Sequence, residues 1–169
     1  MKRGVAIIGG GFISTEVASS LILHYKDKFD VHVISTQETP MEKVFGKQVG
    51  EALANKHRTH GVKLHMKNEV TEILKREEDG SVYAVILKDG TRLPVDMVIM
   101  ANGVTPATKF LERTETGVKV DKDGAIICDP FMQTTNSDIF AAGDVASYPY
   151  WLSGEQIRIE HWINAGDQG

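Results

Sequence analysis

Val5-Ala6-Ile7-Ile8-Gly9-Gly10-Gly11-Phe12-Ile13-Ser14 decides the fold of this 169-residue chain. The apolar run Val5–Ile8 ends on glycines and so reads as a buried parallel strand. From Gly11 to about Tyr25, Ile13, Val17, Leu21 and either Ala18 or Ile22 fall on one helical face, which predicts an amphipathic helix. Strand, glycine turn and helix in that order form the context in which a GxGxxG-like match carries meaning. Gly9 permits the tight turn, and Gly11 lets the backbone approach a pyrophosphate. The first amides of the helix carry partial positive charge and suit that anion. Gly10, Phe12 and Ile13 complete the candidate loop. The third position, where Gly or Ala gives close helix–strand packing, is Ser14, small enough to fit but with a hydroxyl that needs a partner.

Working outward, Val31–Ser35 reads as a second strand, and Thr39-Pro40 breaks the chain before a helix from about Glu42 to His60 that stops at Gly61. Val62–Met66 is a third strand. The pattern then changes to period two: Val70–Lys75, Val82–Leu87 and Thr91–Leu93 are joined at the hairpin signals Asp79-Gly80 and Asp89-Gly90. Val95–Ala101 returns to a buried apolar strand. The expected fold class is α/β, a Rossmann-like doubly wound parallel sheet whose last crossover is an antiparallel β-meander. Asp121-Lys122-Asp123-Gly124 marks a further turn, and Ala125–Cys128 a short strand. Beyond Asp129-Pro130 the expectation is a buried strand over Asp138–Ala142, then a loop rich in Tyr, Pro and Trp. A polar strand over Gln156–Glu160 and a helix starting at Trp162 complete it. The strand Ile139-Phe140-Ala141-Ala142 would present an unpaired edge, expected to be covered by a second copy in a homo-oligomer, folded back on the nucleotide domain, or disordered.

The composition is that of an ordinary soluble domain, 41% hydrophobic and 25% charged, and the net charge of −4 argues against a nucleic-acid binder. No apolar run reaches the roughly 20 residues of a membrane span. The single cysteine, Cys128, excludes an intrachain disulfide and a CxxC redox pair, and its apolar neighbours mark it as packing. His57, His60 and His65 have loose metal-like spacing but no Cys or acidic partner, so no metal site is assigned.

The second strand ends in Ser35-Thr36-Gln37, where an acid would read the ribose of NAD. Asp30 stands at the wrong end of that strand, Glu38 lies beyond it, and the nearest cation is Lys43. Neither the acid of an NAD site nor the arginine of an NADP site is present, and NAD or NADP stays open. Ser35 is the candidate contact there. Glu16, one turn into the helix, suits the positive N-terminal dipole as a solvated residue.

Four ordered segments carry a family resemblance: GGGFISTEVA from Gly9, ANGVTPATKFL from Ala101, TTNSDIFAAGD from Thr134 and RIEHWINAGDQG from Arg158. The chain resembles the FAD-dependent pyridine nucleotide-disulphide oxidoreductase superfamily, and within it the ferredoxin-reductase and apoptosis-inducing-factor group. Low-mass thioredoxin reductases, by contrast, carry a CxxC in the nicotinamide domain. The resemblance implies an NAD(P)-binding domain over residues 1–127 and a partial FAD-domain segment over 128–169. Glu16 would then orient the nicotinamide. Gly103 and Val104 would close the nicotinamide domain beside the flavin, Asp144 would bind the ribityl chain, and Gly143 would permit close backbone approach. Glu160, His161 and Trp162 would lie along the isoalloxazine, with the helix N-terminus facing its pyrimidine edge.

The implied function is the NAD(P)H-binding part of a flavin-dependent oxidoreductase. It would pass hydride from NAD(P)H to FAD and electrons on to an acceptor, such as an electron-accepting protein. The alternative is a nucleotide-binding, redox-sensing module with little turnover. The family's FAD fingerprint and interface domain are not in this sequence, so the chain alone is expected not to hold FAD tightly. A soluble intracellular location is expected, cytoplasmic, or mitochondrial if a longer precursor exists.

Overall fold

The computed structural model describes residues 2–25 and 27–169. The chain divides into two compact units, Met1–Gly103 and Val104–Gly169.

The first unit is built on a four-stranded parallel sheet. Its strands are β1 (Arg3–Ile8), β2 (Phe29–Ser35), β3 (Lys63–Met66) and β7 (Met97–Met100), in spatial order β3-β2-β1-β7. Helices α1 (Phe12–Tyr25) and α2 (Glu42–Thr59) make the crossovers. Between β3 and β7 the chain forms the antiparallel meander β4 (Val70–Lys75), β5 (Val82–Leu87) and β6 (Arg92–Pro94), a separate three-stranded sheet. The α/β class with a meander crossover is therefore as the sequence predicts.

Strand alternation explains the layers. Val5, Ile7, Val31 and Val33 pack with Ala18 and Ile22 of α1, while Ala6 and Ile34 turn to Val85, Leu87, Leu93 and Val95 at the meander. A parallel sheet needs both faces covered. Here helices cover one and a β-meander the other.

The buried face of α1 differs from the expected one. Ser14, Ala18 and Ile22 are buried, Val17 and Leu21 flank them, and Ile13 is 57% exposed. Small residues lie under the helix because it sits close to the sheet at the glycine turn. Helix α2 begins after Met41 in a left-handed conformation, φ 61°, and is broken at Gly46, φ 77°.

The second unit contains β8 (Ile126–Ile127), β9 (Ala146–Pro149), β10 (Gln156–Ile157) and α3 (Trp162–Gln168). Its sheet has the order β10-β9-β8, parallel between β8 and β9 and antiparallel between β9 and β10. Its core gathers Ile126, Cys128, Ala141 and Ala146. The pairing of β8 with β9 ties Ile126 and Ile127 into this unit, which begins at Val104.

The buried strand expected over Asp138–Ala142 is not formed. Only an isolated bridge joins Phe140 to Gln133. The backbone of this segment turns back on residues 132–136 instead, with the Ala141 amide on Met132 O at 3.0 Å and Ile139 O accepting from the Thr134 amide at 2.9 Å. Asn136 Oδ1 and Thr134 Oγ1 hold the Asp138 and Asn136 amides at 2.9 and 3.1 Å. Local bonds of this kind compete with a ladder. The strand edge that would need a covering copy is therefore missing, and Phe140 is 62% exposed. The real strand, β9, lies in the stretch expected to be a loop. The polar strand over Gln156–Glu160 shrinks to β10.

Candidate functional site

The glycine turn sits at the C-terminal end of β1. The Gly9 amide donates to Ile34 O at 2.8 Å and the Ala101 amide to Ile8 O at 2.7 Å, fixing the turn between β2 and β7. Gly9 has φ 137°, and a Cβ there would collide with the Ala101 carbonyl. A Cβ on Gly10 would meet Ser35 Oγ at 2.5 Å and Gln37 Nε2 at 3.2 Å. At Gly11, by contrast, nothing lies within 4 Å of a Cβ. The first two glycines are thus required by the protein itself, and the third faces open space.

Ser14 is fully buried, and its hydroxyl donates to Gly11 O at 2.9 Å, which supplies the partner its sequence position demands. The first amides of α1, at Phe12, Ile13 and Ser14, have no intrahelical acceptor by helix geometry. Phe12 is 52% exposed and meets Phe45 edge-on, with centroids 5.9 Å apart. Glu16 is exposed on α1.

At the end of β2, Ser35 is buried, and its Oγ accepts from the Gln37 amide at 3.2 Å. Ser35 is the contact expected there, and the structure also sets Gln37 against the glycine turn. Gln37 Oε1 is buried and without a hydrogen-bond partner. The signal for it was a polar side chain just past a strand that lacks its acid. Glu38 is tied to Lys47 at 2.6 Å and Lys67 at 3.2 Å, and these ammonium groups hold its carboxyl below the usual range. Glu42 accepts from the Glu38 and Thr39 amides at 2.9 and 3.1 Å.

These features fit a dinucleotide. Open space stands before Gly11, free amides open α1, and Gln37, whose Nε2 approaches Gly10, carries a buried unpartnered Oε1. A cleft of about 160 Å³ lined by Ile22, Leu23, Leu53 and His57 lies at the other end of α1 and is too small for one.

His65 stacks on His32, with ring nitrogens 3.0 Å apart. His57 lies buried on α2. Burial pushes all three imidazoles down, against the pull of Asp30 on His32 and of Asp89 on His65. Among the described residues no group of three or more His, Cys, Asp or Glu side chains is arranged to hold a metal.

Gly103 ends the first unit and Val104 opens the second, both exposed. In the second unit, Gly143 has φ 76°, and its amide donates to Gln168 Oε1 at 2.8 Å, joining the turn at Asp144 to α3. Arg158 donates to Asp144 O at 3.1 Å and pairs with Glu160. His161 caps α3, its Nδ1 accepting from the Ile163 amide at 3.2 Å. Trp162 is 80% exposed. The Asp144 carboxylate, the Trp162 face and the α3 amides are of the kinds that contact a flavin, and Asn164 Nδ2 is buried there without a partner. Gln168 and Arg158 were not singled out in the sequence. Cys128 is buried and its thiol is pushed up by burial, in keeping with a packing role. Among the described residues, no helix is long and apolar enough to cross a membrane.

Against known proteins, the family model described as pyridine nucleotide-disulphide oxidoreductase matches residues 1–169. Apoptosis-inducing factor 3 of Mus musculus is 34% identical over 168 residues, covering 99% of this chain and 27% of its own length. The covalent putidaredoxin reductase–putidaredoxin complex superposes with a TM-score of 0.88 at 32% identity, over 98% of this chain and 38% of that one. A water-forming NADH oxidase from Lactobacillus brevis, bound to NADH, superposes at 0.83 with 28% identity, over 99% of this chain and 35% of that one. The chain thus spans about a quarter to two fifths of these proteins. It belongs to the pyridine nucleotide-disulphide oxidoreductase family, whose members are FAD- and NAD(P)H-dependent oxidoreductases.

Proposed function

We propose that residues 1–103 bind a nicotinamide dinucleotide and that the chain is the NAD(P)H-binding part of a flavin-dependent oxidoreductase. The observation that carries this reading is the glycine turn, closed by the protein at Gly9 and Gly10 and open at Gly11. Phe12, Ile13 and Ser14 would offer backbone amides to the pyrophosphate, and Gly11 would allow contact without a side chain between. Ser35 keeps the end of β2 pressed to Gly10. Glu16, exposed near the start of α1, would orient the nicotinamide carboxamide.

In the second unit, Asp144, Glu160, His161 and Trp162 would hold and orient FAD, with Gly143 allowing close backbone approach. Together the two cofactors supply a hydride donor and a hydride acceptor, and the protein supplies stacking and orientation. Gly103 and Val104 link the two groups of contacts along the chain. The likeness to the putidaredoxin reductase complex supports an electron-accepting protein as the final acceptor.

Titration of the purified chain with NADH, followed by nucleotide fluorescence, tests the first step. Saturable binding that Gly11→Val weakens about tenfold or more is expected. A folded chain with no saturation below about 1 mM NADH would overturn the proposal. Glu16→Gln should leave NADH binding and the urea midpoint unchanged while slowing flavin reduction when FAD is supplied.

A further inference from the structure

The side chain that stands beside Gly10 of the glycine turn, just past β2, is an amide and not an acid. Gln37 lies two residues past β2, its backbone tied to Ser35 Oγ at 3.2 Å and, through its carbonyl, to the Lys67 amide at 2.9 Å. Its side chain sits where a Cβ on Gly10 would touch Nε2 at 3.2 Å, and Oε1 is buried with no donor. A buried acceptor left unmatched is costly, and a ligand hydroxyl would supply the missing donor. An amide also carries two N–H donors, and its last side-chain torsion is broad, so a turn of the group exchanges acceptor for donor. The same side chain can therefore accept from a ribose 2′-hydroxyl or donate to a 2′-phosphate.

The surrounding charge does not oppose a phosphate. Glu38, the acid nearest to Gln37 along the chain, is neutralised by Lys47 and Lys67, and Glu42 is engaged with two backbone amides. Lys43, Lys47 and Lys67 balance Glu38, Glu42 and Glu51, the last of which also acts on Lys47, so the charges around this turn cancel. A carboxylate at the end of the strand would accept from a 2′-hydroxyl and repel a 2′-phosphate. That element of discrimination is missing here.

We propose that Gln37 reads the adenosine ribose, and that its amide lets this chain take NADH and NADPH with comparable affinity. This inference rests on the nucleotide reading above. Equilibrium titrations of the 169-residue chain with NADH and with NADPH, by calorimetry, should give dissociation constants within about tenfold of each other. Gln37→Glu should raise the NADPH constant about tenfold or more and leave that for NADH within about threefold. Gln37→Ala should weaken both by a similar factor, up to about tenfold, with a urea midpoint at or above that of wild type, since the unmatched acceptor is gone. A wild-type preference beyond tenfold, or a selectivity that Gln37→Glu does not move, overturns the role of Gln37 while nucleotide binding stands. Failure of the folded chain to bind either dinucleotide overturns the nucleotide reading and this inference with it.

Discussion

Replacing Gly9 and Gly11 separately by alanine should split one motif into a structural half and a functional half. Alanine at position 9 would have to adopt φ 137°, a conformation L side chains rarely take, with its methyl against the Ala101 carbonyl. Strain of that kind costs about 1–3 kcal/mol, and overpacking against rigid backbone about another 1–3 kcal/mol. The loss of about 2–6 kcal/mol is a large share of the roughly 5–15 kcal/mol available to a domain.

At position 11 the methyl meets nothing within 4 Å. Alanine is a poorer helix cap than glycine by about 0.5–1 kcal/mol, while it restricts the unfolded chain by a similar amount, about 0.4–1 kcal/mol. The two offset, so Gly11→Ala should stay within about 0.5 kcal/mol of wild type. Its methyl would nevertheless stand where the pyrophosphate approaches. Urea denaturation followed by circular dichroism gives the stability change, and NADH titration gives the binding change. The expected pattern is a lower urea midpoint for Gly9→Ala, and an unchanged midpoint with about tenfold weaker NADH binding for Gly11→Ala. Equal destabilisation by both, or full NADH affinity in Gly11→Ala, would refute the reasoning.

Three further outcomes follow from packing and protonation. Ser14→Ala should cost less than about 1 kcal/mol, because Gly11 O keeps the Thr15 amide as a donor at 3.2 Å; Ser14→Leu should cost about 3 kcal/mol or more by overpacking a fully buried site, and urea midpoints separate the two. Ile34→Ala empties a fully buried position between the sheet and the meander and should cost about 2–5 kcal/mol in the same assay. His32, His57 and His65 have lowered folded values, so the unfolded chain binds protons first on acidification. Stability should be full above the ordinary histidine value of about 6.5 and fall as pH drops below it, read as a declining melting temperature between about pH 6.5 and 5. A flat profile there would show that these imidazoles are not held neutral by the fold.

The local sequence determined the parallel strands, the two crossover helices and the meander, because period, glycine punctuation and hairpin turns are short-range signals. It also determined the glycine turn, since a strand leading into Gly9-Gly10-Gly11 and a helix has few alternatives. Tertiary structure decided what depends on distant partners. Ser14, Ala18 and Ile22 became the buried face of α1 because the sheet lies close beneath the helix, which no residue within α1 encodes. Ile126 and Ile127 joined the second unit because they pair with Ala146 and Ser147, some twenty residues on. The apolar run Ile139–Ala142 turned back on residues 132–136 through backbone bonds and formed no ladder, while Ala146–Pro149 paired with Ile126–Ile127. Gln37 gained its place only when β2 and the glycine turn were brought together. What Gln37 faces across space is set by strand pairing, not by its neighbours in the chain.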